Sequence, residues 1–498
     1  MSATVLNSVR RGFYLDSVAL MRLSREVGAM PDVREVALMM GTPANKRILQ
    51  EAGLLASDGE GAVGNDLILA VCADSEEAAA AAIAAAAGKL EGPRPATQGS
   101  RAVEPRTLRA ALRERPDATL ALISVPGEYA AAEARRAIRS GLDVMLFSDN
   151  VPLEEERTLK QEATARGRLV MGPDCGTAII NGTPLAFANR VPRGDIGVIG
   201  ASGTGMQEVT SLIAMAGRGI SQAIGVGGRD LAREVGGLST LSAIDLLDAD
   251  PSTRRVVLIS KPPHPEIARA VLDRVGRSRK PFTICFLGAP DLQLPTNARA
   301  APTLKAAAED ALEGVRIGSG AEAIGKSLQP RSGAVVGLFC GGTLAAEAQL
   351  ILLQAGRSVA SNAPVPGVNH LADATAGSDR ILDLGADEFT RGRPHPMLDP
   401  SLRDDKVRQH LADLGVAIVL VDVVIGFGAH ADPAGELAAT LSGAPEKRAH
   451  VVASVTGTEG DPQVRSRQVA ALERAGVMVA PSNADAAELA LALSRAVG

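Results

Sequence analysis

Tryptophan is absent from this sequence, and two tyrosines and eight phenylalanines keep the aromatic content at 2%. Gripping single-stranded nucleic acid takes aromatic faces for base stacking and a basic surface. With a net charge of −5, nucleic acid is not an expected partner. Cysteine is scarce as well. Cys72, Cys175, Cys285 and Cys340 lie far apart with no Cys-x-x-Cys pair, so neither a zinc ribbon nor a disulfide framework is indicated, and no metal site is expected. The N-terminus lacks the apolar core of a signal peptide. The longest apolar run, 416–427, is broken by Asp422 and is too short to span a bilayer. No separate ATP-binding domain is apparent. The expected setting is the cytoplasm, away from membranes.

The chain has 498 residues, 46% of them hydrophobic, enough for about three or four cored domains. Short apolar runs at 36–40, 67–72, 120–125, 144–147 and 169–171 alternate with Ala-rich helical stretches such as 75–90 and 128–140. This alternation reads as βαβ units and mostly parallel sheets. Residues 91–104 carry Gly, Pro and Ser without periodicity and read as a linker. Further boundaries near 191–194 and 329–332 divide the chain into four units. These are a small N-terminal α/β domain (1–95), a Rossmann-like domain (105–191), and two flavodoxin-like doubly wound domains (192–328 and 332–498).

The most informative stretch is Gly200-Ala201-Ser202-Gly203-Thr204-Gly205, which follows the strand-like run 196–199 and precedes an apolar helix pattern. A strand, a Gly/Ser/Thr loop and a helix start make an anion cradle. The guest would be phosphate, a phosphoryl group or a carboxylate, and the alternative is a tight turn with no ligand. The design recurs at Cys340-Gly341-Gly342-Thr343, with Glu347 in the first turns of the next helix. Two such loops suggest duplicated domains that offer two helix N-termini to one anionic site.

Gly227-Gly228-Arg229 could bring backbone close to a substrate, with Arg229 as a clamp for carboxylate or phosphate or merely a surface arginine. Cys175, in Gly172-Pro173-Asp174-Cys175-Gly176-Thr177, reads better as a packed thiol than as a nucleophile. Arg391-Gly392-Arg393-Pro394-His395-Pro396-Met397-Leu398-Asp399-Pro400 mounts Arg393, His395 and Asp399 on a proline-stiffened loop. His395 there could be a general acid/base, a phosphoryl acceptor or an orienting donor. Asp422 lies inside an apolar strand, and burial demands a partner for it. The loops at 426–433 and 457–462 should share one sheet edge.

Taken together, six peptides resemble the FdrA family: 39–46 (Met-Met-Gly-Thr-Pro-Ala-Asn-Lys), 171–177, 200–205, 340–344, 392–397 and 422–428. FdrA proteins are in turn similar to the α subunit of succinyl-CoA synthetase over about 120–290. There Gly172 to Cys175, continuing through Gly176 and Thr177, matches a CoA-domain loop, Ser202 to Thr204 a loop heading a phosphohistidine-steadying helix, and Gly225 to Asp230 a neighbouring Gly loop. The region that carries the synthetase's histidine reads Leu294-Pro295-Thr296-Asn297-Ala298-Arg299-Ala300 here, without histidine. The resemblance implies a component of oxamate carbamoyltransferase, moving a carbamoyl group from an N-carbamoyl acid such as oxalurate to phosphate in allantoin nitrogen catabolism. It implies partner subunits, with homo-oligomers left open, and phosphate as a substrate. In that reading His395, Arg393 and Asp399 are catalytic, and Ser202, Gly203, Thr204, Gly205, Gly227, Gly228, Arg229, Gly341, Gly342 and Thr343 bind phosphate or substrate. The alternatives are a nucleotide-dependent acyl-CoA ligase, which would bind CoA or a nucleotide, and a non-catalytic scaffold.

Overall fold

The computed structural model describes residues 3–15, 17–91, 105, 107–289, 292–318, 330–375, 377–390, 394–444 and 448–495. The expected linker, apart from Glu91, and the candidate Arg393 lie outside the described residues.

The N-terminal domain has strands Thr4–Arg10, Val33–Met40 and Leu67–Ala73, with the last between the other two and antiparallel to both. The crossover helix Ser17–Gly28 leaves the first two strands parallel with a gap that the third fills, a split βαβ unit. Alternation of strands and helices therefore misleads here, where a parallel sheet was expected. Leu20, Leu23, Val27, Ala79, Ala82 and Ala86 pack one face, and Leu49 and Leu54 pack the other.

Next comes a three-stranded parallel sheet of Leu120–Ile123, Asp143–Leu146 and Val170–Met171. The unit does not run on to 191. Strands Thr177–Ile180 and Thr183–Ala186 form a hairpin through Asn181 and Gly182, both left-handed (φ 50° and 79°), as a two-residue hairpin turn requires. That hairpin joins the following sheet, antiparallel to Ile220–Gly225. The loop 172–176 thus crosses from one sheet to the next.

In that seven-stranded sheet the strands Arg193–Gly200, Ile220–Gly225, Arg255–Ser260, Phe282–Phe286 and Ala298–Ala300, numbered 1 to 5, take the order 2-1-3-4-5. This is the flavodoxin-like order. The last sheet also has seven strands, all parallel, with Ala334–Phe339 at its centre. It departs from that order because Asp379–Asp383 lies between Ala334–Phe339 and Val359–Ser361.

The two large sheets share one core. Met206, Val209 and Leu212 from one side, and Leu344, Ala345, Ala348 and Leu489 from the other, belong to a single buried cluster. A second fastening is ionic. Buried Lys160 reaches Glu156 and Asp230 (2.8 Å each) and the Val226 carbonyl (3.0 Å), tying the helix Leu153–Ala165 to the loop after Ile220–Gly225. Among the described residues no helix is long and apolar enough to cross a membrane.

Removing one partner from a buried ion cluster strands the others without compensation, at about 3–5 kcal/mol. Lys160→Ala is expected to lower unfolding free energy by an amount in that range in denaturant titration. An effect below about 1 kcal/mol, the scale of an exposed pair, would refute the fastening role.

Candidate functional site

A cavity of about 960 Å³ lies where all four units meet. Its walls come from segments that follow parallel strands: 124–128, 147–150, 201–204, 260–261, 340–343 and 383–387. Open α/β sheets bind ligands at these carboxyl ends. The N-terminal domain contributes Met39, Met40, Thr42, Asn45 and Arg47 to the wall.

The two Gly-rich loops meet inside it. Ser202 caps the helix Gly203–Met215, its hydroxyl accepting from the Gly205 N–H. The helix Gly342–Gln354 starts against it, with Thr343 Oγ1 donating to Ser202 Oγ at 2.6 Å. Ser202 Oγ accepts both bonds, so its own proton is left for a third partner. The packing is reciprocal: a Cβ on Gly341 would stand 2.8 Å from Thr204 Oγ1, and one on Gly205 would stand 3.0 Å from Thr343 Cγ2. Only glycine lets the first turns touch. Gly203 likewise lies against Thr177, whose Oγ1 would be 2.9 Å from a Cβ there.

Buried Asp422 finds its partners in this junction. Its carboxylate accepts the N–H groups of Cys340 (2.7 Å) and Gly341 (2.8 Å). Gly341 therefore has no amide left for a ligand, and the second cradle shrinks to the N–H groups of Gly342 and Thr343, the Thr343 hydroxyl proton being spent on Ser202. Behind the junction Asn483 ties both helices, donating its N–H to Glu208 (2.9 Å) and its Nδ2 to Glu347 (2.7 Å). Burial pushes Glu347 up to about 8 and also raises Glu208.

Two charged groups at the cavity went unread in the sequence. Asp383 Oδ2 lies against Gly342, and Lys261 Nζ is 3.5 Å from where a Gly342 Cβ would stand. Burial pushes Asp383 up to about 6, against the pull of Lys261 and of the Gly385 N–H. Lys261 sits in an ordinary Ser-Lys-Pro-Pro peptide and Asp383 at a strand end. Only sheet order brings them together. Asp174, facing the cavity but hemmed in by protein, is also raised to about 6, by desolvation and then by the carboxylates of Asp149 and Asp387.

His395 reaches the cavity, but not as an acid or base. Its Nδ1 accepts the Met397 N–H at 3.2 Å, which assigns the proton to Nε2. A Cβ on Gly385 would stand 2.7 Å from that Nε2 and 3.3 Å from Asp383 Oδ1. Burial lowers the imidazole to about 4. It is therefore a neutral donor at physiological pH, with no lone pair at Nε2 to take a proton or a phosphoryl group.

Several expected site residues are spent elsewhere. Arg229 pairs with Glu156 (2.9 Å) and the Val151 carbonyl (2.8 Å), so it is a brace rather than a ligand clamp. Asp399 caps Ser401 (3.0 Å) and faces Arg25 (3.9 Å) outside the cavity wall. Gly227 (φ 88°) packs on Pro173 and Gly172, whereas Gly228 does line the cavity. Of the Asp174-to-Thr177 loop, Asp174, Gly176 and Thr177 line it, and Cys175 is buried with its thiol pushed up to about 12, an inert packed group. The loops at 426–433 and 457–462 grip residues 187–190, for instance through Asp461 to Asn189 (2.8 Å) and the Arg190 N–H (2.7 Å).

Two outcomes follow. NMR titration should show the His395 imidazole neutral from pH 9 to about 5.5, and a midpoint near its ordinary 6.5 would overturn the donor assignment. Because the folded value is depressed, this histidine's contribution to stability fades as pH falls from about 6.5 to 4. Gly341→Ala is expected to cost about 1–3 kcal/mol by overpacking. Gly88→Ala, in a helix where a Cβ meets nothing within 4 Å, is the control, expected to be neutral or stabilising; equal effects of the two would refute the junction.

Comparison with known proteins assigns the surroundings. A CoA-ligase family model matches residues 338–493 and a CoA-binding-domain model matches 193–288. The latter covers the Ser202 loop rather than the unit 105–191 expected to carry that role. A third model, described as AllF, heavy metal-associated domain, matches residues 1–106. The ADP-forming sulfoacetate-CoA ligase subunit SauD of Bilophila wadsworthia is 28% identical over 31% of this chain and 54% of its own length. An ADP-forming succinate–CoA ligase α subunit of Methanothermobacter thermautotrophicus is 27% identical over 30% of this chain and 50% of its own. The chain thus spans about half the length of the ligase subunits it matches. The uncharacterized protein YahF of Escherichia coli is 38% identical over 97% of both chains. With its CoA-binding and CoA-ligase regions each carrying one of the paired loops, the chain belongs to the YahF family of CoA-ligase-like proteins.

Proposed function

We propose that this cavity moves an acyl-type group between phosphate and coenzyme A: acyl phosphate plus CoA gives acyl-CoA plus phosphate, the transfer half of a CoA-ligase reaction. The observation that carries this reading is the Ser202–Thr343 junction, where two helix N-termini and two hydroxyls converge on one point. Each helix end carries about half a positive charge, and together they attract a phosphoryl group. The N–H groups of Gly203 and Thr204, and of Gly342 and Thr343, precede the first intrahelical bonds and are free to donate. Lys261 adds a full charge. Asp383, poised at about 6, takes the thiol proton of CoA as the sulfur attacks the acyl carbon and returns it to the departing phosphate. His395 Nε2–H orients a substrate oxygen. No phosphohistidine is needed.

Similarity to ADP-forming CoA-ligase subunits supports the reading at family level. Leu20, Met21, Phe147 and Phe187 give the cavity apolar wall for the arm of CoA. We assign any nucleotide step to a partner subunit. A second reading, carbamoyl transfer from an N-carbamoyl acid to phosphate, draws on the resemblance of the six peptides to the FdrA family. It uses the same cradle and differs in the donor.

The test is thioester formation from acetyl or succinyl phosphate and CoA. Removing one oxyanion-type donor costs about 10²–10³ in rate, so Ser202→Ala/Thr343→Ala should fall at least about 100-fold, with stability lowered by no more than about 2 kcal/mol. Undiminished turnover in the double variant would sink the proposal. Carbamoyl phosphate from oxalurate and phosphate, without thioester from either acyl phosphate, would select the second reading.

A further inference from the structure

The N-terminal domain matches a heavy-metal-associated model, yet its residues do not suit a soft metal. Residues 1–95 hold one cysteine, Cys72, and no histidine. Heavy-metal sites draw on several thiolates or imidazoles, and among the described residues no cluster of three potential ligands exists.

Its position points elsewhere. The segment from Met39 to Glu51 forms part of the cavity wall. Thr42 caps the helix Pro43–Glu51 through the Asn45 N–H, with Pro43 pre-set for the first turn. One turn on, Arg47 lines the cavity, and among the described residues no hydrogen bond or ion pair engages it. Among the described residues the other cation on that wall is Lys261, beside the phosphoryl cradle. The domain keeps its own cores, whose members all lie within residues 6–90. Polar links join it to the rest: Tyr14 Oη donates to the Ser124 carbonyl (3.1 Å), and Arg25 bridges to Glu436 (3.2 Å) and toward Asp399 (3.9 Å). A self-contained domain held by such contacts is docked onto the cavity rather than built into its core.

We propose that the N-terminal domain is a substrate-reading cap, and that Arg47 binds an anionic group at the end of the substrate distant from the reacting acyl carbon. Guanidinium is suited to this because it stays charged and takes a carboxylate or phosphate through two parallel N–H bonds. The cradle then holds the reacting phosphoryl group and Arg47 selects an acid with a second negative charge. The same chemistry would also hold a phosphate of CoA, and the assay separates the two. The inference rests on the transfer reading for its geometry but is tested by binding.

Calorimetry on the full chain would compare succinate, butyrate, CoA and inorganic phosphate. Wild type should bind succinate at least about tenfold more tightly than butyrate. Arg47→Ala should lose that preference, Arg47→Lys should restore part of it, and phosphate and CoA should bind within twofold of wild type. Unchanged succinate binding in Arg47→Ala, or no preference in wild type, overturns the cap's reading role. A loss confined to CoA transfers Arg47 to the coenzyme and overturns the substrate assignment. A parallel loss of phosphate binding places Arg47 in the cradle and overturns it too. Phosphate binding by wild type reports separately on the transfer reading.

Discussion

Two helix N-termini that abut repel each other, and negative charge beside them relieves that repulsion. Each brings about half a positive charge and a ring of unsatisfied N–H groups. Here the first turns touch through Gly341 on Thr204 and Gly205 on Thr343. Asp422 neutralises the junction from inside the protein, and Asp383 stands at its rim. The remaining donors face the cavity. Much else serves to hold this electrostatically awkward contact in place, including the shared core beneath the large sheets and the Asn483 tie between Glu208 and Glu347.

The local halves of the site were legible in the sequence. A strand, a Gly/Ser/Thr loop and an apolar helix pattern are consecutive in the chain, and short-range stereochemistry makes them a cradle. The buried Asp422 was legible as a group in need of partners, though which partners was not. Lys261, Asp383 and the amide-consuming role of Asp422 depend on strand order, and strand order in parallel sheets is set by contacts far apart in sequence. Arg229 shows the opposite error. Its Gly-Gly-Arg setting is chemically suggestive, but Glu156, 73 positions earlier, claims the guanidinium. His395 was legible as a site residue but not in which of its three roles, because its tautomer hangs on one backbone N–H two residues away.

Domain limits blurred for a related reason. The hairpin Thr177–Ile180 and Thr183–Ala186 is continuous with the preceding unit in sequence, yet its hydrogen bonds go to the following sheet. An Asn-Gly turn declares a hairpin but not the sheet that receives it. The N-terminal sheet is antiparallel for a similar reason. Helical spacing between strands allows a parallel crossover, and a third strand then fills the gap from the opposite direction.

Both helix ends of the junction lie on one polypeptide, 141 residues apart at Ser202 and Thr343. Where such ends reside on separate chains, the site exists only to the extent that the chains associate. A covalent connection replaces that equilibrium with a fixed effective concentration, which for short tethers is in the millimolar range and here is reinforced by a common core. Dilution cannot separate the two halves of the cradle, so its integrity is a first-order property of the folded molecule.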